Sequence, residues 1–531
     1  MMLIQTLLIT ICLALHTLSA FAEVKTFTKE YTYEASELDS KVTSRINATE
    51  QVKRLLLEEL GVFLVSHTEV VNSQLTKDQI TSITAGIVSA VVLDEKWDGH
   101  KYWLKAKVDA DPSVVQKTID IISADSKNKA GLEAAQKRIV TLTKELDAVK
   151  NDLGSTQKDK QIKYNNIVDR IKLSDMMQEY YRLRNNGTAE NILIDYLSKM
   201  ISIDNKFIDA FRERANVYKS LKKYSEYESD LISIISLASN DCDSYKELAD
   251  INLTKKNYAK FIEYEYKSII CDKYLISKPT KTSKSTYDII VKKYPNDFRI
   301  YLIRGYYSLC AIVYGQKNSK LDAISDINKS LKIKKDQPIA YYLLANLVEY
   351  QANYIGRAKD IKSVNQIINY CTIGLMYSPT PIIEISLLSM RANYGRSIMS
   401  CGQIANDLGR IIDIDPNYSP YYQKMALHKI DCEEYNQAIY YYKKAIEYET
   451  NVGGLEALYN SLAELYVNIG DNHSAVIMYN NIIDILNKRI EGYISFLNDN
   501  QSGDMLIKEF MSEKQLRIEE IKDKIRSISS E

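Results

Sequence analysis

The apolar positions of this chain change period along its length. From Thr26 to Tyr33 polar and apolar residues alternate. Phe27, Tyr31 and Tyr33 fall on one face and Thr26, Thr28, Glu30 and Thr32 on the other, which predicts a half-buried strand. Val42, Ile46, Val52, Leu56, Leu60 and Phe63 then follow helical spacing, with an end expected near Gly61. Thr68 to Asn72 is β-prone, and Ile80, Ile83 and Ile87 mark a second helix opened by Thr76 with Gln79 three residues on. Val91–Trp97 and Lys101–Val108 alternate again around Asp98-Gly99, a hairpin signal. Asp111-Pro112 opens another helix with proline at its first position. Residues 23–125 therefore predict a small α/β domain.

Heptads follow. Leu132, Ala135, Ile139, Leu142, Leu146, Val149 and Leu153 step by three and four in turn. That seam predicts a coiled-coil helix within 128–172, with a homo-oligomer through residues 130–153 as one outcome. A helix folded back on its own domain is the other. Beyond it a longer period appears. Phe211, Ala215 and Tyr224 recur as Tyr245, Ala249 and Tyr258, each 34 residues on. Tyr422, Ala426, Ala438, Tyr442 and Ala445 repeat the grammar, and so do Tyr459, Ala463, Tyr466, Ala475 and Tyr479. A helix pair of this length does not bury its apolar face alone, so neighbouring pairs stack.

Residues 174–490 resemble tetratricopeptide repeats (TPR). The family's small eighth residue stands at Ala215, Ala249, Gly305, Ala345, Ala392, Ala426 and Ala463, and its closing proline at Pro379 and Pro416. Its second-helix positions stand at Ala323, Ala438, Tyr442, Ala445, Ala475 and Tyr479. A degenerate copy is expected at 174–207. Residues 276–297, with Lys278, Lys281 and Lys284 around Pro279, break the register and suggest two half-arrays meeting at an altered angle. Extra residues are expected between helices around Gly315–Ser319 and Gly356–Lys362. A charged helix at 503–529, with Leu506, Phe510, Ile518, Ile521, Ile525 and Ile528 as its stripe, serves as the terminal cap. The fold class is thus mainly α: an α-solenoid of TPR helix pairs behind a small α/β domain and a coiled-coil-like helix.

The N-terminal order of strand, long helix and hairpin resembles the N-terminal domain of bacterial flagellar assembly protein T and related envelope lipoproteins. Arg45-Ile46-Asn47-Ala48, Val91-Val92-Leu93 and Tyr102–Val108 carry that likeness. It implies a role in envelope assembly. Leu3 to Leu15 is nearly all apolar and Ala20-Phe21-Ala22 fits a cleavage site, so residues 1–22 read as a signal peptide and the protein as periplasmic or secreted. No Lys or Arg precedes the apolar run, and an uncleaved anchor is the alternative.

In 531 residues, 69 bases balance 69 acids, which leaves no field favouring nucleic acid. Only 8 prolines and 18 glycines fit long uninterrupted elements. No segment after the leader is apolar enough to span a bilayer. His67, His100, His428 and His473 are scattered, and no phosphate loop or nucleophile elbow occurs, so neither metal nor cofactor is expected and the chain does not read as an enzyme. The six later cysteines form no Cys-x-x-Cys pair. Cys242 and Cys271 stand at the two ends of one repeat, and Cys401 and Cys432 near inter-helix turns of adjacent repeats, so each pair is a disulfide candidate. Separate buried thiols are the alternative.

The resemblance also implies a ligand groove on the inner helices. Its ninth position holds Asn216, Asn346 and Asn393, where an amide would grip a peptide backbone. Its fifth holds Arg212 and Lys246, where the family often places cations for carboxylates. The expected role is a scaffold or adaptor for a protein or peptide partner in the envelope. A structural oligomerising spacer is the second reading, and an enzyme hidden in the N-terminal domain the third.

Overall fold

A computed structural model describes residues 24–67, 83–84, 87–111, 115, 126–152, 156–272, 284–313, 320–354, 360–500 and 505–529. The signal segment, the β-prone stretch at Thr68, the cap at Thr76, Pro112, Leu153, Lys278–Lys281, Gly315–Ser319 and Gly356 lie outside these residues. Two compact units make up the chain, one ending at Tyr227 and the other beginning at Glu228.

The first unit is built on a three-stranded antiparallel sheet of order β1-β3-β2, from β1 (Lys25–Glu34), β2 (Val91–Trp97) and β3 (Lys101–Ala110). The alternation of β1 is seen directly, with Phe27 buried and Thr26 and Thr28 exposed. On β3, Tyr102, Leu104, Ala106, Val108 and Ala110 all turn inward. The hairpin closes at Gly99, whose φ of +104° a side chain would resist. Asp98 accepts the amides of His100 and Lys101, and these bonds hold its carboxyl below the usual range. Helix α1 (Lys41–His67) lays Val52, Leu56 and Leu60 on the sheet. It does not end near Gly61. That glycine is buried inside the helix, and packing overrides its low propensity.

The heptad seam lies on α2 (Ser126–Asn151), and its partner is α3 (Gln157–Asn185) of the same chain. Arg170 pairs with Glu145 and Gln178 with Gln136, residue sums near 315 that only an antiparallel hairpin produces. Leu142 and Leu146 pack on Tyr164, Val168 and Ile171, while Leu132 and Ala135 join the core beneath the sheet. The seam expected to bring copies together is therefore covered within the chain, the folded-back alternative. That core also takes in Leu193, Leu197 and Met200 of α4 (Glu190–Ile203) and Ala210 and Val217 of α5 (Ile208–Ser220). The boundaries expected near 125 and 172 separate no cores. The sheet, the hairpin and the first repeat helices share one apolar interior.

The repeat is explicit at its turns. Gly187, Lys222, Lys256, Glu433 and Gly470 all take φ between +57° and +80°. The last four each stand seven residues beyond an eighth-position alanine. Every one carries the same pair of bonds, as where the amide of Lys256 reaches Leu253 O and that of Asn257 reaches Asn252 O. This is the Schellman ending of a helix, which glycine suits best. Gly187 places the degenerate copy in the same scheme, with buried Tyr180 where later copies have a small residue. Three of the five turns hold a residue with a Cβ in left-handed backbone, a cost of about 1–2 kcal/mol that glycine's larger folding entropy partly offsets. Lys256→Gly should therefore raise stability by about 0.5–1 kcal/mol. The measurement is the urea midpoint, and a lower midpoint contradicts the account.

In the second unit the pairs are α7 (Cys242–Thr254) with α8 (Tyr258–Cys271), α10 (Phe298–Val313) with α11 (Lys320–Ile333), and α12 (Pro338–Tyr354) with α13 (Ile361–Leu375). Next come α14 (Pro381–Gly395) with α15 (Cys401–Ile414), α16 (Ser419–Asp431) with α17 (Tyr435–Tyr448), and α18 (Val452–Asn468) before α19 (Asn472–Asn500). Helix α6 (Tyr224–Leu237) contains the unit boundary, and α9 (Lys284–Lys293) is a short helix before α10. Every expected eighth-position residue is buried, as are Ala323, Ala438, Ala445 and Ala475 on the facing helices. At Gly305 an added Cβ would lie 2.7 Å from Ile327 and 3.3 Å from the Ala323 carbonyl, which explains the smallest side chain there. The final helix α20 (Met505–Ser529) caps the array through Ile518, Ile521 and Ile528, although Phe510 of the expected stripe is exposed.

Residues 276–297 do not divide the array. Phe261 and Ile262 of α8 share a core with Ile300–Ile303 of α10, Leu343 of α12 and Leu387 of α14. Helix α10 is apolar nearly all round, from Ile300 to Ile312, and such a helix belongs inside.

Candidate partner-binding surfaces

The residues expected to line a groove fall into different settings. In the first unit, Arg212 and Asn216 are exposed on α5. Asp209 in that helix's first turn favours its N-terminus and salt-bridges both Arg138 (2.7 Å) and Arg212 (3.4 Å). Arg212 opens onto a cleft of about 370 Å³ lined also by Arg138, Arg170, Lys206, Asp204 and Asp209. Phe207 lies at the same place, its ring 5.6 Å from the Arg138 guanidinium. Four cations thus line the cleft with two carboxylates, and Arg170 also pairs with Glu145. Guanidinium forks bind carboxylates in bidentate fashion, so the chemistry suits an acidic ligand. No spacing rule brings positions 138, 170, 206 and 212 together. The packing of the α2–α3 hairpin with the α4–α5 link and α5 does so.

In the second unit the groove expectation meets two corrections. Lys246 donates to Glu265 (2.6 Å) and to the Tyr307 hydroxyl (2.7 Å). Glu265 is buried, so this ammonium neutralises an internal carboxylate rather than waiting for a ligand. Burial, then the charge of Glu265, raises the proton affinity of Tyr307, which remains a phenol. Asn346 is also buried, and its amide donates to the Tyr342 carbonyl one turn back. Both corrections follow from the packed centre of this unit: Leu302 and Tyr306, the fifth and ninth positions on α10, are buried, as are Leu309 and Cys310. Asn393 is exposed. With Arg396 and Ser397 of its repeat, Leu427 and Asp431 of the next, and Glu464 and Asn468 of the third, it lies among the open inner-helix positions.

Polar contacts that sequence periodicity does not register hold the elements in place. Asn47 of α1 donates to Tyr33 (3.1 Å) on β1 and Tyr164 (3.0 Å) on α3. Both hydroxyls donate to Asp39, whose burial is outweighed by these and the Ser36 bonds, so its carboxyl stays below its ordinary range. In the second unit Arg304 grips Asp326 with two bonds of 2.6 and 2.7 Å, and Arg391 grips Asp407 with 2.5 and 2.8 Å. Each arginine precedes its repeat's small residue by one position.

Cys242 is joined to Cys271 and Cys401 to Cys432, with Cα separations of 5.7 and 6.1 Å. Cys310 and Cys371 are buried, and burial pushes their thiols up to about 11 and about 12. Among the described residues, the ligand atoms of Cys401, His428 and Cys432 lie within 4.8 Å of one another, the one such cluster found. No helix among them is long and apolar enough to cross a membrane.

No protein-family model matches the chain, and no curated protein does. Similar solved structures include YrrB, described as a TPR protein with an unusual peptide-binding site. It is 13% identical, the match covers 38% of this chain and 91% of that one, and the TM-score is 0.30. PilW, described as a widely conserved type IV pilus biogenesis factor, is 14% identical, with 49% and 96% covered and a TM-score of 0.28. A tetratricopeptide repeat protein from Parabacteroides merdae is 13% identical, with 56% and 98% covered and a TM-score of 0.24.

Proposed function

We propose that this chain is an exported, non-enzymatic adaptor of the TPR type, holding a protein partner in the bacterial cell envelope by an acidic segment. The observation that carries this reading is the cleft that Arg138, Arg170, Lys206 and Arg212 line together, with Asp204 and Asp209 beside them. Recurring small residues and identical turns support the TPR assignment. The apolar leader supports export, and two cysteine pairs at bonding separation suit an oxidising compartment. The likeness of the first domain to flagellar assembly protein T supports the envelope and rests on sequence. The spacer reading loses support because its heptads are used within the chain.

The test has two arms. Protein made in its host should begin at Glu23, and one still carrying Met1 contradicts cleavage. Labelled peptides with acidic C-termini should bind the mature chain more tightly than amidated, neutral counterparts. The double variant Arg170→Gln, Lys206→Gln should weaken them about tenfold, or about 1.4 kcal/mol. The difference should shrink in high salt, because these charges are solvent-facing. Equal binding of acidic and neutral peptides, or an unaffected double variant, overturns the proposed site.

A further inference from the structure

Cys401 is the first residue of α15, and His428 and Cys432 stand one helical turn apart at the end of α16. Nε2 of His428 lies 2.9 Å from the Cys401 carbonyl. A carbonyl only accepts, so Nε2 carries the proton and the neutral ring has its lone pair on Nδ1. The Cys432 sulfur is 3.9 Å from that nitrogen and 3.6 Å from Nε2. We propose that, when the Cys401–Cys432 disulfide is reduced, Cys401, His428 and Cys432 bind one Zn²⁺ ion.

Three features carry the assignment. Zinc bonds of about 2.3 Å to sulfur and about 2.0–2.1 Å to nitrogen, set at the tetrahedral angle, span an S···N edge of about 3.6 Å. The Cys432 sulfur lies nearly equidistant from both ring nitrogens, so once reduction frees it, it must swing about its Cα–Cβ bond toward the Nδ1 lone pair while the ring keeps its bond to the Cys401 carbonyl. Second, a ring N–H donated to a backbone carbonyl is how metal-bound histidines are commonly oriented, and here the bond exists before any metal arrives. Third, His428 is buried and Cys401 is exposed, so the ligands are supported from within and the ion enters from solvent. Three protein ligands leave the fourth position to water.

The chemistry balances. A dithiol reductant gives two electrons and two protons to the disulfide and becomes a disulfide itself. Zinc then displaces one proton from each thiol and takes the Nδ1 lone pair. Disulfide and metal therefore exclude each other, and the ion reports the redox state of this turn. A search for paired histidines or Cys-x-x-Cys passes over this set, because its helical half is His-x-x-x-Cys.

The test uses the full mature chain with Cys242→Ser and Cys271→Ser, so that the other disulfide adds no thiols. After reduction by a dithiol and its removal under argon, Zn²⁺ is titrated against a chromophoric chelator. One ion per chain is expected for the reduced form and none for the oxidised form. His428→Ala should weaken uptake by at least about tenfold, and Cys401→Ser should do at least as much. Cobalt added to the reduced chain should give a thiolate charge-transfer band, a readout that needs no change at the site. The proposal is overturned by a missing cobalt band, by equal uptake in oxidised and reduced chains, or by His428→Ala binding as tightly as its parent. These outcomes are independent of whether acidic peptides bind the first unit.

Discussion

Asp407→Ala is expected to cost about 3–5 kcal/mol, the range for removing one partner of a buried ion pair. Asp407 sits on α15 with its side chain 6% exposed and accepts two bonds from Arg391 of α14. Those bonds raise the proton affinity of Arg391, and a guanidinium keeps its charge without them. Removing the aspartate leaves a half-buried guanidinium between helices, with a 3.3 Å approach to the Thr372 hydroxyl. The cost is mostly the stranded charge, not the lost attraction. Replacing both partners with apolar residues, Arg391→Met with Asp407→Leu, should recover most of it. Urea unfolding of the three chains decides: if the double variant is as unstable as Asp407→Ala, the loss comes from shape and not from charge.

Reduction of the disulfides should be the next largest effect. The bridges close loops with sequence separations of 29 and 31 residues. Loop-closure entropy for such lengths gives about 3–4 kcal/mol apiece. Cys271→Ser should lower the unfolding free energy by about that amount, and adding reductant to the variant should lower it further by a similar step. Cys310 and Cys371 do not compete for exchange, because burial keeps both as thiols at neutral pH. Unfolded, unreduced mature chain should therefore titrate two thiols. Six would mean that neither bridge forms.

The two cysteine pairs were legible because a repeat register converts sequence distance into place. Cys242 and Cys271 open and close one helix pair, and antiparallel helices bring such ends together. The eighth-position residues were legible for the same reason, since a close helix approach admits only a small side chain. The heptad run of α2 was legible as a seam but not as to what covers it. Periodicity records that Leu142 and Leu146 are inward and is silent on whether Tyr164 and Ile171 or a second copy lies opposite. The groove failed where one rule was carried through every repeat. Asn346 has Leu343, Leu344 and Leu347 as neighbours, and that apolar surround marks an interior position. The cationic cleft depends on tertiary placement alone, with its charges contributed by α2, α3, the α4–α5 link and α5.

The burial of α10 also changes how the second unit should come apart. In a chain of repeats that touch only their nearest neighbours, amide protons exchange piecemeal, inward from the ends, because each pair opens at its own modest cost. Here α8 reaches α14 as well as α10, and α10 lies within the same core as both. Exposing the amides of α10 means parting all of its neighbours at once. Its protons should exchange only by complete opening of the block, at one shared rate, while the amides of α18 to α20 exchange earlier and independently. The middle of the array behaves in this respect as a globular nucleus from which a short run of true repeats extends.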